Sequence, residues 1–156
     1  MKLNFEVFSL PDLIEGVVEL YEFVAEEKEI LVETILPREL TIRGDQTRLG
    51  QALANLLDNA IKYSPKAGTV EVRVFEEEGR AVVTMSDEGR GISEADLPHI
   101  WDRLFRAEPS RTTPGMGLGL SFVKAITEAH GGSATITSYG REGATFRIEI
   151  PGSQSF

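Results

Sequence analysis

Asn55 and Asn59 stand one helical turn apart, and Lys62 follows three residues later. At 100° per residue these side chains fall on one line of a helix, with Tyr63 beside them. An amide oxygen is a neutral, hard ligand that suits Mg²⁺, a cation that keeps waters and shares its shell with phosphate oxygens. Lys62 can act as a point charge on phosphate. Tyr63 offers a ring for stacking. A second cluster, Gly115-Met116-Gly117-Leu118-Gly119-Leu120, leads into an apolar helical pattern. Its backbone N–H groups and the helix N-terminus favour an anion. Between the two lies Asp87-Glu88-Gly89-Arg90-Gly91. There a carboxylate can accept from the exocyclic amine of a base, and glycines allow close approach. Taken together, these residue types make the wall, cradle and anchor of a nucleotide site.

Each motif alone has a plainer reading. An isolated Asn is most often a solvated helix edge, and an Asp-Gly run is as readily a plain turn. Two asparagines in mid-helix are harder to explain that way, because Asn costs up to ~0.7 kcal/mol against Ala. The glycine loop is not a Walker A loop, since no Gly-Lys-Ser/Thr follows it. A dinucleotide-binding turn is disfavoured because Arg111-Thr112-Thr113-Pro114 is no strand.

The surrounding pattern must position these groups. Asn4–Phe8 alternates as a short strand. Ser9-Leu10-Pro11 reads as a helix start, and the apolar positions from Leu13 to Val24 carry one helix to about Glu27. Ile30–Leu36 and Leu40–Arg43 read as strands. Asp45 can cap a helix running to Tyr63, whose buried stripe is Leu49, Ala52, Leu53, Leu56 and Ala60. The Asn line borders that stripe, at the rim of the core. Thr69–Phe75 and Arg80–Ser86 form a hairpin around Glu76–Gly79, and Ser93–Leu97 starts a short helix. Gly117–His130 is a third long helix, stopped by Gly131-Gly132. Ser133–Ser138 and Ala144–Ile150 make a last hairpin. The expected fold class is α+β: a two-layer α/β sandwich, with a mixed, mostly antiparallel sheet and three main helices on one face. One domain covers residues 1–151, and 152–156 form a tail.

Bulk properties set limits. The 156 residues suit one domain with a real core. A net charge of −9 gives a nucleic-acid partner no electrostatic help, so none is expected. The chain has no Cys, which removes disulfides, thiolate metal sites and Cys nucleophiles. No apolar run approaches the ~20 residues that span a bilayer, and no direct membrane contact is expected.

In this order and spacing, the motifs resemble the ATP-binding catalytic domain of sensor histidine kinases, within the gyrase–Hsp90–histidine kinase–MutL superfamily (the Bergerat fold). The resemblance runs from about Phe5 to Pro151. Asn55-Leu-Leu-Asp-Asn59-Ala-Ile-Lys62-Tyr63-Ser64 is similar to the N box. Asp87-x-Gly89-x-Gly91 is similar to the first glycine box, and Gly115-x-Gly117-Leu118-Gly119-Leu120 to the second. Trp101–Arg106 stands where the F box belongs, and Gly143-Ala144-Thr145 where a third glycine element is usual. The resemblance implies the cofactors ATP and Mg²⁺. It implies Asn59 as main ligand of Mg²⁺ with Asn55 near the metal, and Lys62 and Arg106 on phosphates. Tyr63 would pack on the base, Asp87 would accept from the adenine amine, and Gly91 would allow close approach with Gly89 and Ile92 in the same loop. Gly115, Gly117, Leu118, Gly119 and Leu120 would form the phosphate cradle. Thr145 would line the adenine pocket. Residues 107–114 would be the lid over the nucleotide. Trp101, Leu104 and Met116 depart from the family's usual Phe and Thr or Ser.

The same resemblance implies phosphoryl transfer to a histidine on a separate dimerisation and phosphotransfer helical hairpin, with a response regulator served indirectly. The catalytic groups on this chain would be Asn55, Lys62 and Arg106. Asn55 stands where other branches place a Glu that activates water, and an amide is no base at neutral pH. His99 and His130 are the only histidines. Both are expected to be structural or solvated. A cation at His130 would suit the helix dipole. The chain is therefore expected to be a monomeric, cytoplasmic piece that does not label itself, of a parent that in many relatives is membrane-bound. Two alternatives stay open: a stand-alone serine kinase of the anti-sigma-switch type, and a nucleotide-dependent interaction module without transfer activity.

Overall fold

The computed structural model describes residues 2–89, 94–95, 97–102, 119–138 and 143–152. Twelve elements occur among them: β1 (Glu6–Ser9), α1 (Leu10–Leu20), α2 (Glu22–Glu27), β2 (Leu31–Ile35), β3 (Thr41–Gly44), α3 (Gln46–Tyr63), β4 (Thr69–Glu77), β5 (Arg80–Asp87), a 3-10 turn (Leu97–His99), α4 (Gly119–Ala129), β6 (Ser133–Ser138) and β7 (Ala144–Pro151). The main sheet has the order β2-β4-β5-β7-β6. Only β2–β4 is parallel, and the other neighbours run antiparallel. The mixed, mostly antiparallel sheet is as expected. An addition is a separate antiparallel ribbon, β1–β3, pairing Glu6 with Gly44 and Ser9 with Thr41.

Strand alternation decides which face is covered. Val70, Val72 and Val74 of β4, Ala81, Val83 and Met85 of β5, and Phe146, Ile148 and Ile150 of β7 are buried in one cluster. Leu49, Ala52, Leu53, Leu56, Leu57, Ala60 and Ile61 of α3 lie in the same cluster, with Val123 and Ile126 of α4. Burying one such Leu or Ile is worth roughly 1.5–3 kcal/mol. This layer of helices therefore packs on the sheet with α3 at its centre.

The helix expected from Ser9 to Glu27 is two helices. Ser9 caps α1, accepting from Asp12 N–H at 3.2 Å, and Pro11 sits in the first turn. At Tyr21 the chain leaves helical geometry, with φ −105° and ψ 4°. Beyond it only Ala25 of α2 is buried, while Leu20 and Phe23 point outward. The break redirects α2 so that its one small apolar residue meets the core. The hairpin turn is also tighter than expected. Only Glu78 and Gly79, at φ 51° and 77°, separate Glu77 from Arg80. Gly152 N–H donates to the Gly79 carbonyl at 3.0 Å and pins the end of β7 to this turn.

Candidate functional site

Asn59 and Asn55 lie on α3 at the edge of its buried stripe, both half-buried. The Asn59 side-chain N–H donates to the Asn55 backbone carbonyl at 3.0 Å. That bond commits the nitrogen end of the amide to the helix. The Oδ1 end remains an acceptor, which is the chemistry a hard dication needs. The first described residues of α4 face this wall. A Cβ at Gly119 would lie 3.8 Å from Asn55 Cβ and Cγ and 3.8 Å from Asn59 Nδ2. Gly119, the first described residue of the second cluster, is therefore a neighbour of the first cluster in space. Leu120 is partly buried and packs against the core, which anchors the start of α4.

Lys62 is exposed and pairs with Asp58 at 3.2 Å, one turn back. A surface pair of this kind is worth about 0.3–0.5 kcal/mol, so an arriving phosphate can displace it. Tyr63 closes α3, and its carbonyl packs directly on Gly89, where any Cβ would overlap it. Gly89 N–H donates to Asp87 Oδ1 at 2.8 Å.

Asp87 takes a core-facing position at the end of β5, in register with Val70 and Ala144. It is 7% exposed. Burial pushes its carboxyl above the ordinary carboxylate range, against the Gly89 and Ala144 N–H bonds and the Lys28 ammonium, which lower it. Gly143, at φ 94°, lets the start of β7 pack closely on the end of β5, because a Cβ there would strike the Asp87 backbone carbonyl. A buried, acceptor-only group with spare lone pairs fits a base amine.

Thr145 is not brought to this carboxylate. It is in register with Ser86, one residue off Asp87, so alternation turns it to the other face of the sheet. Its hydroxyl lies 2.9 Å from Ser86 Oγ. The residue on the Asp87 side is Ala144. Gly91, Ile92, Arg106, Gly115, Gly117 and Leu118 lie outside the described residues, as do Leu104, Met116 and the 107–114 lid. Trp101 is half-buried and meets Phe146 edge to face, with ring centroids 6.1 Å apart.

Away from the site, His130 ties α4 to the start of α3. Its Nδ1 lies 2.8 Å from the Ile126 carbonyl, and its Nε2 accepts from Asp45 N–H at 2.9 Å. A carbonyl can only accept and an amide N–H can only donate, so this pair of bonds needs the neutral Nδ1–H imidazole. His130 is thus a buried structural clamp at this helix end, stacked on Phe5 at 5.1 Å. His99 is exposed beside Asp102, with Nδ1 and Oδ2 3.1 Å apart.

Sequence reasoning passed over Lys28 and Ala144. Lys28 sits in the run Glu26-Glu27-Lys28-Glu29, which reads as a solvated charge cluster. Yet its Nζ donates to the Ile61 and Lys62 carbonyls, both at 2.8 Å. Ala144 carries no functional group, and only the strand register identifies it.

Residues 44–154 match the family model described as histidine kinase-, DNA gyrase B- and HSP90-like ATPase. The chain is 39% identical to the sensor protein KdpD of Clostridium acetobutylicum over 86% of its own length and 16% of that protein. It is 31% identical to the sensor histidine kinase WalK of Bacillus subtilis over 96% of its length and 25% of that protein. The chain therefore spans a quarter or less of these two curated relatives. Among solved structures it resembles the mycobacterial sensor histidine kinase MprB, with TM-score 0.82 at 30% identity, covering 96% of this chain and 98% of that one. It also resembles the catalytic domain of the histidine kinase ThkA, with TM-score 0.86 at 28% identity, covering 96% and 97%. With the Asn wall, the buried Asp87 and the α4 start in the arrangement described, the chain belongs to the histidine kinase-, DNA gyrase B- and HSP90-like ATPases, as a histidine kinase catalytic domain.

Proposed function

We propose that this domain holds Mg·ATP between α3, the end of β5 and the start of α4, for transfer to a histidine on a separate helical-hairpin domain of a two-component sensor kinase. The observation that carries the reading is the approach of Gly119 to the Asn55 and Asn59 side chains. That contact brings the start of α4 against the amide wall and supports a phosphate site where the two meet. Mg·ATP supplies the γ-phosphoryl group and most of the charge neutralisation that its transfer needs. Asn59 Oδ1, with Asn55 beside it, would hold the metal. Lys62 would exchange Asp58 for a phosphate. Asp87 would orient the adenine amine, with Tyr63 packed near it. Gly119 and the glycines before it would approach the phosphates, and Gly91, Ile92 and Arg106 would complete the site. Catalysis on this side is positioning, because Asn55 has no basic group to activate a water.

The nucleophile would come from the partner hairpin, and the response regulator would be reached only through it. His130 supports that division, since both ring nitrogens are engaged in a buried clamp. The domain is proposed to work as a monomeric unit on the cytoplasmic side, where its nucleotide is found. Among the described residues no helix is long and apolar enough to cross a membrane.

The test mixes the chain with labelled Mg·ATP and a matching His-bearing hairpin. Acid-labile phosphate on the hairpin is the expected result. Acid-stable phosphate on a protein partner would indicate a serine kinase instead. Binding without transfer to any partner would leave an interaction module. Stoichiometric self-labelling at His99 or His130 would overturn the division of labour.

A further inference from the structure

The end of α2 is built with unusual care for a surface helix. Glu29 N–H donates to the Glu26 carbonyl at 2.9 Å and Ile30 N–H to the Ala25 carbonyl at 2.8 Å. This double bond pattern is a Schellman motif, closed by Glu29 in the left-handed region at φ 59°. It fixes Lys28 as the last residue held by α2. From there the side chain crosses to α3, and Nζ donates to the Ile61 and Lys62 carbonyls at 2.8 Å each. These belong to the last turn of α3, where carbonyls lack intrahelical partners and a cation suits the negative end. The two turns are also tied by backbone. Ala67 N–H donates to the Lys28 carbonyl at 3.2 Å, and Leu31 N–H to the Gly68 carbonyl at 3.0 Å.

The next residue of α3 is Tyr63, whose carbonyl packs on Gly89, and Gly89 N–H holds Asp87. A short physical chain thus runs from Lys28 through the end of α3 to the buried carboxylate. The Lys28 ammonium, half-buried, also interacts with the Asp87 charge across this corner.

We propose that Lys28 is the positioning residue for the base end of the nucleotide site. By holding the Ile61 and Lys62 carbonyls it fixes the position of the end of α3, and so where Tyr63 and Gly89 meet beside Asp87. Lys28 touches no nucleotide atom in this scheme and acts through these residues. The inference rests on the Mg·ATP reading above.

The test titrates ADP and Mg·ATP into the wild-type chain, Lys28→Met and Lys28→Arg, and records melting temperatures in the same buffers. Lys28→Met weakens ADP and Mg·ATP by the same factor, about tenfold, as expected when a charge-assisted hydrogen bond no longer pre-organises a site. Equal loss for both nucleotides marks the base end, since a phosphate-end defect would discriminate between them. Lys28→Arg, which keeps a charged donor, recovers most of the affinity. A merely structural lysine would lower the melting temperature yet leave the affinity of the folded protein unchanged. Unchanged affinity in folded Lys28→Met, beside a wild type that binds, overturns this inference alone. A wild type that binds neither nucleotide overturns it together with the Mg·ATP reading. Lys28→Gln keeps a donor without the charge and replaces Lys28→Met if methionine prevents folding. Unchanged ADP affinity in that variant overturns the inference equally.

Discussion

The Asn59 side-chain N–H donates to the Asn55 carbonyl at 3.0 Å, which turns one mid-helix amide into an oriented oxygen. Replacing Asn59 by Ala removes that oxygen while leaving the helix backbone intact. The helix itself should not suffer, since Ala is the better helix former by up to ~0.7 kcal/mol. Asn59→Ala is expected to melt within a few degrees of wild type and to lose the Mg²⁺ dependence of ATP binding. Calorimetric titrations with and without Mg²⁺ check this. A variant that still gains affinity from Mg²⁺ as wild type does would sink the metal assignment.

Asp87 should trade stability for binding. Burial raises its carboxyl above the ordinary 3.8, so from about that pH upward the native state holds a proton that the unfolded state has released. Stability therefore falls as pH rises through this window, and the cost is fully present above the native pKa. Asp87→Asn should remove the cost and be at least as stable as wild type near pH 7. It should also weaken adenine nucleotides more than tenfold, because the Gly89 N–H claims the single amide oxygen and the NH₂ group then faces the base amine. Urea unfolding at several pH values, paired with ADP titration, tests both halves. Unchanged nucleotide affinity would remove Asp87 from the base site.

Asp45 predicts the opposite pH behaviour. Its carboxylate accepts from the N–H groups of Asn4 and Arg48, and the pair with Arg48 adds to this. Together these hold its carboxyl down to about 2. The stability it contributes is present above the ordinary 3.8 and lost as pH falls through about 2. Asp45→Ala should cost about 1 kcal/mol at neutral pH through the lost cap. It should also flatten the acid limb between those two values. Denaturation curves from pH 5 to pH 2 show whether the wild-type and variant stabilities converge. A constant gap down to pH 2 would contradict the capping role.

Glu29 offers a gain. A left-handed conformation costs a residue with a Cβ roughly 1–2 kcal/mol, and glycine's extra freedom in the unfolded chain takes back part of that. Glu29→Gly is expected to stabilise the domain by about 0.5–1 kcal/mol. The check is the urea midpoint at unchanged slope. Destabilisation would mean that the Glu29 side chain has a role beyond its backbone angle.

The helix of the N box could be read from its sequence nearly to the residue, because Asp45, the apolar stripe and Pro65 all mark the same boundaries. The two hairpins were equally plain from alternation. The break at Tyr21 was not, since Leu20, Phe23 and Val24 continue a helical apolar pattern that the fold leaves on the surface. Of the candidate site, Asn55, Asn59 and Asp87 stand out in the sequence because their residue types are unusual where they stand. The pairing of Ala144, not Thr145, with Asp87 is something no motif resolves and register decides. Lys28 was hidden because its value lies in the carbonyls it reaches, and those belong to a helix far along the chain.

The site draws on α3, β5, α4 and β7, so its walls meet only after most of the chain has been arranged. Contacts of such long sequence separation form late, after the loop entropy has been overcome. Nucleotide capture should therefore return only with the last phase of refolding, and no fragment that lacks the final hairpin should show it. A fluorescent ATP analogue would then report the completed fold as a whole, while helical signal from α3 alone could appear well before it.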